Sequence, residues 1–233
     1  MAKVSRKQLL KSSDEFLTFT EKAGRWIANN QRRLLLGGVV VIVIAAVIFG
    51  LVSYKRKHEA SGALAFGNSF YEYKVLQASP TPGALAALVQ SLTSVADEYS
   101  STEAGKQARF YLASLLIETG DNVKAQEQLQ ILLDEPDLRP ELAAMAWGAL
   151  GQSYEAAGQT EEARRAYGQA IGASRPESAN MWRSALARLL LDTDQQQSIA
   201  LYRQVMDNSN SQFLRISAAR MLINLGQDIT RVN

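Results

Sequence analysis

The most apolar stretch of the chain lies near its start. Residues 34–52, LLLGGVVVIVIAAVIFGLV, contain no charged or hydrogen-bonding side chain. As a helix this stretch is roughly 28 Å long, which matches the hydrocarbon core of a bilayer. Trp26 precedes it and Tyr54 follows it, in the places that interfacial aromatic residues take. The pattern predicts a transmembrane helix over residues 34–54.

Beyond this run, apolar residues recur at spacings of three and four, as on one face of an amphipathic helix. The clearest unit covers residues 147–176, where small residues stand at Gly151, Ala163 and Ala170. Two antiparallel helices approach each other closely only where small side chains meet. The pattern therefore predicts a helix pair, with Gly158 at the turn, where a left-handed backbone ends the first helix.

The landmarks of this unit resemble the tetratricopeptide repeat, whose pattern is W-x₂-L-G-x₂-Y, then A-x₃-F, then P. The matching residues are Trp147, Leu150, Gly151, Tyr154, Ala163, Tyr167 and Pro176. The aromatic residues are therefore interpreted as packing residues and not as a cofactor site. Because one repeat cannot bury its own apolar face, the unit is expected to recur along the chain.

Weaker copies of the pattern flank this unit. The predicted repeats cover about 58–99, 105–138, 144–177 and 180–210, and a capping helix follows over 212–226. The turn of the last repeat is degenerate, because Asp194 stands where Gly120 and Gly158 stand in the others. We expect an all-α fold, with one N-terminal transmembrane helix followed by an irregular tetratricopeptide-repeat α-solenoid and a C-terminal capping helix.

Charge divides the chain into two parts. Residues 1–57 hold 11 Lys and Arg against 3 Asp and Glu, whereas residues 58–233 hold 14 against 20. The cations before the apolar run place the N-terminus in the cytoplasm and the repeats in the periplasm by the positive-inside rule. Counted close to the run the bias is nearly balanced, so the reverse topology stays open. The acidic repeat domain would repel phosphate, which argues against a nucleic-acid partner.

The basic segment over residues 1–33 contains a second helical signal. Ser12 and Glu15 have the spacing of a capping box, and apolar residues follow on one helical face. The segment is predicted to form a short amphipathic helix, either on the lipid surface or as a lead-in to the span. A signal peptide cleaved near Ala63 is the alternative to an anchor, but the apolar run exceeds the usual ~7–15 residues.

Composition argues against catalysis. The chain has no cysteine, which excludes disulfides, thiolate nucleophiles, zinc–thiolate sites and iron–sulfur clusters. The single histidine, His58, follows three cations and is interpreted as a solvated interfacial residue. No phosphate-binding loop or hydrolase motif is found in the sequence. We expect no enzymatic activity, no cofactor and no metal site.

A binding surface remains. In solenoids of this kind the first helix of each pair lines a groove that suits an extended or helical peptide. By the repeat register, the groove residues are Phe110, Ser114, Ile117, Glu118, Met145, Gln152, Glu155, Met181, Ser184 and Arg188. The alternative is that some of these side chains pack inside, because the repeat spacing is irregular.

The order of a basic segment, one span and degenerate repeats resembles the ancillary subunit family of the bacterial SecYEG translocon. The runs YLASLLIETGDNVKAQEQLQILL and GQSYEAAGQTEEARRAYGQA carry the similarity. The resemblance implies a non-catalytic inner-membrane protein that assists translocation or periplasmic chaperone hand-off. Its implied partners are the SecYEG translocon, periplasmic chaperones or client chains, and the lipid bilayer.

A second interpretation is a structural scaffold for envelope assembly or cell division with one fixed partner. Self-association into a homo-oligomer also stays open.

Overall fold

The computed structural model describes residues 22, 24–79, 81 and 83–229, and all regular structure in these residues is helical. The helices are α1 (Gln31–Ala78), α2 (Ala84–Glu98), α3 (Glu103–Glu118), α4 (Asn122–Leu133), α5 (Pro140–Ala156), α6 (Thr160–Ala173), α7 (Ala179–Leu189), α8 (Gln195–Asn208) and α9 (Gln212–Asn224). The chain divides into two compact units, residues 1–57 and 58–233. The predicted all-α class is confirmed.

The apolar part of α1 belongs to the first unit. Residues 34–52 are exposed throughout, and a window of α1 reaches a mean hydropathy of 3.1. By length and composition, α1 can cross a membrane. The predicted amphipathic helix in residues 1–33 lies mostly outside the described residues, although residues 24–29 are helical.

One helix replaces two predicted ones. The sequence predicts a span that ends at Tyr54 and a separate first repeat from about residue 58, whereas α1 continues to Ala78 without a break. Residues 51–61 contain neither Gly nor Pro, so nothing there removes a helical hydrogen bond or loosens the backbone. The cluster of cations at residues 55–57 does not interrupt a helix whose side chains are exposed.

In the second unit, each helix from α2 to α9 packs against the next helix along the chain. Contacts between next-but-one helices join α3 to α5 and α7 to α9. α3, α5 and α7 are the first helices of predicted pairs, and α9 is the predicted capping helix. The first helices therefore lie side by side and form one surface of the solenoid.

The small residues lie where the sequence pattern predicts helix crossings. Ala163 and Ala170 of α6 are fully buried. A Cβ atom on Gly151 of α5 would lie 2.7 Å from the ring of Tyr167, so only glycine fits this contact with α6. Tyr167 is itself fully buried and stacks on Trp182 of α7, with ring centroids 6.5 Å apart. The structure confirms that these aromatic residues are packing residues.

The turns differ between the repeats. Gly120 and Gly158 follow α3 and α5 with φ of +83° and +74°, so both adopt the left-handed backbone predicted for a helix end. Asp194, at the degenerate turn, has φ of −147°. Its carboxylate accepts a hydrogen bond from the Gln197 backbone N–H at 3.0 Å. This turn therefore begins α8 with an acidic N-cap and uses no left-handed residue.

Candidate protein-binding groove

The structure leaves every predicted groove residue accessible. The exposed ones are Glu118, Met145, Gln152, Met181 and Arg188, and the half-buried ones are Phe110, Ser114, Ile117, Glu155 and Ser184. All of them lie on α3, α5 and α7. None is buried, although Phe110 and Ile117 also touch the core cluster between α3 and α5. Binding by these residues stays a prediction.

A row of apolar side chains follows the register of the first helices. The small crossing residues are Gly151 in α5 and Ala187 in α7. Six positions before them stand Met145 and Met181, which are 43% and 48% exposed. In α9, Ala219 stands seven positions before the turn residue Gly226, as Gly151 stands before Gly158, and six positions before Ala219 is Phe213, which is 77% exposed. The sequence analysis assigned no groove residue to α9, because it interpreted this helix as a cap, and so missed Phe213. The signal was the position of Ala219.

The remaining groove positions of α9 are also exposed. We call Phe213, Ile216, Arg220 and Ile223 the α9 face; all four are exposed and recur at spacings of three and four. The opposite side of α9 carries Ala218 and Leu222, which are fully buried in the core. Phe213 and Arg220 therefore occupy register positions that are exposed on α5 and α7, whereas the α5 residue in register with Ile216 is Gly148, which is buried.

Two predicted groove residues bind each other. Arg188 of α7 donates from Nη1 and Nη2 to the Glu155 carboxylate of α5, at 2.5 and 2.9 Å. The Tyr167 hydroxyl donates to Oε2 of the same carboxylate at 2.9 Å. The hydrogen bond to Glu155 raises the pKa of Arg188. A planar, two-point pair of this kind holds α5 and α7 at a defined spacing.

Tyr167 should make the stability of the repeat domain sensitive to alkaline pH. Burial, followed by the bond to Glu155, raises the pKa of Tyr167 above its ordinary value of 10.0. Above about pH 10 the unfolded chain loses this proton before the folded chain does, so the free energy of unfolding falls as pH rises. Urea unfolding at about pH 9 and about pH 11 should show a smaller fall for Tyr167→Phe than for the parent chain.

The matched control is Tyr71→Phe, because the Tyr71 side chain is 70% exposed. It should keep the parental fall in stability. An unchanged fall in Tyr167→Phe would show that Tyr167 does not cause the alkaline sensitivity.

An aromatic cluster joins α1 to α3, the first of the helices that carry groove residues. Phe66, Phe70 and Tyr73 of α1 surround Tyr111 of α3, with ring centroids 5.7, 5.2 and 5.5 Å away. Burial is the main cause that raises the pKa of Tyr73, and its hydroxyl donates to Glu118 at 3.3 Å. Glu118 therefore has a partner within the domain. Sequence reasoning missed this cluster, because the first repeat lacks the repeat landmarks.

Ion pairs join the N-terminal ends of neighbouring first helices. Arg139, at the start of α5, donates from Nε to Glu103 in the first turn of α3 at 2.6 Å. Arg175, before α7, donates to Glu141 in the first turn of α5 at 2.8 Å. The same arrangement thus occurs in two consecutive repeats. Because all four side chains are exposed, these pairs set helix register more than stability.

Two further observations concern metal ligands and the single histidine. In the part of the chain that the structure describes, no three His, Cys, Asp or Glu side chains are grouped to hold a metal ion. The prediction of a solvated His58 is wrong, since His58 is half-buried and its ring centroid lies 5.0 Å from that of Tyr99. Because α1 continues past the apolar run, His58 lies within this helix and packs on Tyr99 at the C-terminal end of α2.

Consecutive helix pairs whose first helices share one accessible surface define a helical-repeat scaffold, a class typical of non-catalytic protein interaction. A family model described as a tetratricopeptide repeat-like domain matches residues 25–147, and a tetratricopeptide repeat model matches residues 149–173. The chain belongs to the tetratricopeptide repeat-like domain family. The predicted α-solenoid of tetratricopeptide repeats is confirmed, and no curated protein matches the chain significantly.

Solved structures share the fold. The "MamA RS-1 ArsTM double mutant" is 16% identical with a TM-score of 0.51, and the match covers 70% of this chain and 79% of that one. Nearly identical TPR-like repeats of a Podosopora anserina protein described as a kinesin light chain are 20% identical, with a TM-score of 0.54 and coverages of 69% and 86%. A substituted variant of the same repeats has a TM-score of 0.55, 20% identity and coverages of 69% and 85%. At these identities, the likeness concerns the fold alone.

Proposed function

We propose that the chain is a single-pass inner-membrane protein whose repeat domain binds other proteins on the periplasmic side of the Sec translocon. In this role it assists translocation or hands client chains to periplasmic chaperones. The observation that carries the proposal is the exposed row of Met145 and Met181 on neighbouring first helices. Exposed methionines suit a surface that accepts varied apolar segments, because the side chain is flexible and polarizable.

Membrane attachment rests on α1. Its apolar window is not buried within the protein, as expected of a helix whose environment is lipid. The basic excess of residues 1–57 supports a cytoplasmic N-terminus and a periplasmic repeat domain. The family model begins at residue 25 and so includes the apolar helix together with the first repeats. This extent supports a permanent anchor over a cleaved signal peptide.

The link to the Sec translocon rests on the resemblance in architecture: a short basic segment, one apolar helix and degenerate repeats. The groove supports reversible binding without turnover. Its charged residues Glu118, Glu155 and Arg188 are engaged in bonds within the domain. The apolar row and Gln152 are left to meet a partner.

Site-specific photo-crosslinking tests this function in living bacterial cells. A photoreactive residue at Gln152, exposed on the groove side of α5, should capture translocon subunits, periplasmic chaperones or exported chains. The matched control is the same residue at Glu127, exposed on the second helix α4, which should capture markedly less of these proteins. Binding in the groove, and not mere proximity to the membrane, predicts this difference.

Other outcomes would contradict the proposal in distinct ways. Capture of cytoplasmic proteins alone at Gln152 would reverse the orientation. Capture of one division or envelope-assembly protein would identify a fixed scaffold. Equal capture at Gln152 and Glu127 would remove the groove as the binding surface.

A further inference from the structure

The α9 face differs from the rest of the groove surface in how much apolar area it leaves uncovered. Phe213 is 77% exposed, Ile216 is 52% exposed and Ile223 is 57% exposed. These side chains occupy groove register on the last described first helix, beside α7. Large apolar side chains exposed together on one helical face are typical of a docking surface.

The charge of the same region is opposite to that of the domain. Residues 58–233 carry an excess of acidic residues, 20 against 14 basic ones. In contrast, α7 and α9 contain arginines but no Asp or Glu. Arg188 is paired with Glu155, whereas Arg220 makes no ion pair with any described residue. The exposed Arg220 lies between Ile216 and Ile223 on the α9 face.

We propose that the α9 face binds a segment of a partner protein in which aliphatic or aromatic residues stand next to a carboxylate, with the carboxylate received by Arg220. The inference rests on the proposed function, because it names the chemistry of the segment that the groove accepts. Phe213, Ile216 and Ile223 remove apolar side chains of the segment from water. Arg220 selects for the carboxylate because guanidinium–carboxylate hydrogen bonds are charge-assisted and planar.

Charge argues against the two other occupants. If two copies paired through this face, Arg220 of each copy would meet the same basic face of the other. An anionic lipid surface would attract α9 but repel the acidic domain around it. A carboxylate-bearing segment matches the α9 face and is small enough to leave the rest of the domain in water.

The test measures the affinity of labelled peptides for the full-length chain in neutral detergent. Three short peptides of equal length share one pattern of Leu and Phe and carry Glu, Gln or Lys at the same intervening positions. Fluorescence anisotropy should show that the Glu peptide binds about tenfold more tightly than the Gln peptide. Non-specific attraction to the acidic domain would instead favour the Lys peptide, so the expected order cannot arise from overall charge.

Variants assign the preference to α9. Arg220→Gln should abolish the preference for Glu over Gln while binding of the Gln peptide persists. Arg215→Gln is the matched control, because Arg215 is exposed on the same helix but lies outside the α9 face. Phe213→Ser should weaken both peptides about tenfold, whereas Val123→Ser, exposed on α4, should weaken neither.

The results separate this inference from the proposed function. If the peptides bind and Met145→Ser weakens them while the α9 variants do not, the groove function stands and the inference is wrong. If no peptide binds but Gln152 still captures partners in cells, the inference is again wrong and the function stands. A shift from dimer to monomer in Phe213→Ser, or a loss of binding to phosphatidylglycerol vesicles without loss of peptide binding, would overturn the inference in favour of a second copy or of lipid.

Discussion

Gly148→Ala is expected to lower the free energy of unfolding of the repeat domain by about 3 kcal/mol. A Cβ atom at this position of α5 would overlap the six-membered ring of Trp182 on α7. Trp182 is buried and stacks on Tyr167, so its ring has no free space into which it can retreat. The new methyl group must therefore separate α5 from α7. Urea unfolding of the full-length chain in detergent, followed by circular dichroism and tryptophan fluorescence, measures the loss.

Gly168→Ala supplies the matched control, because it makes the same chemical change in the interior of a neighbouring helix. Gly168 is exposed on α6, and a Cβ atom there would meet nothing within 4 Å. Alanine should stabilise this helix by about 0.5–1 kcal/mol, since it reduces the freedom of the unfolded backbone. The two substitutions are thus expected to act in opposite directions. Two variants of equal stability would contradict the packing described for Gly148.

The second large effect is expected at an ion pair whose lysine is buried. The Lys106 ammonium of α3 binds Asp137 in the loop before α5; the lysine side chain is 3% exposed and the aspartate 74% exposed. Asp137→Asn leaves the ammonium inside the protein without its counter-charge, which should lower the free energy of unfolding by about 3 kcal/mol. The same urea titration measures this loss.

A double-mutant cycle identifies the cause. Lys106→Met removes the buried charge, so the double variant with Asp137→Asn should regain most of the stability that Asp137→Asn loses. Asp134→Asn, at an exposed acidic residue of the same loop, should change stability little. A double variant as unstable as Asp137→Asn alone would mean that the loop, and not the buried charge, is responsible.

The repeat core could be predicted from sequence because it depends on contacts at short, regular spacing. Gly151 lies on α5, and Ala163 and Tyr167 lie on the next helix, α6. The size of each side chain determines how closely these two helices approach. The continuous α1 could not be predicted in the same way. Charge at residues 55–57 marks a change of environment, but a change of environment does not end a helix.

The accessibility of the groove residues followed from the register, but their bonds did not. Glu155 and Arg188 are 33 positions apart, and their pairing depends on the distance between α5 and α7 and on both rotamers. Side-chain geometry across repeats is not encoded in any local pattern. The α9 face was missed for another reason. The last helix was interpreted as a capping helix, and its exposed positions were not compared with the groove positions of α5 and α7.

The repeated pairs between Arg139 and Glu103 and between Arg175 and Glu141 should make one end of the helix row more sensitive to salt than its interior. These exposed pairs hold neighbouring first helices at one end, where mobile ions screen charge over about 10 Å. The buried seam formed by Tyr167 and Trp182 is insensitive to salt. Rising ionic strength is therefore expected to weaken the contacts between first helices at this end, while the buried contact between Tyr167 and Trp182 is unaffected.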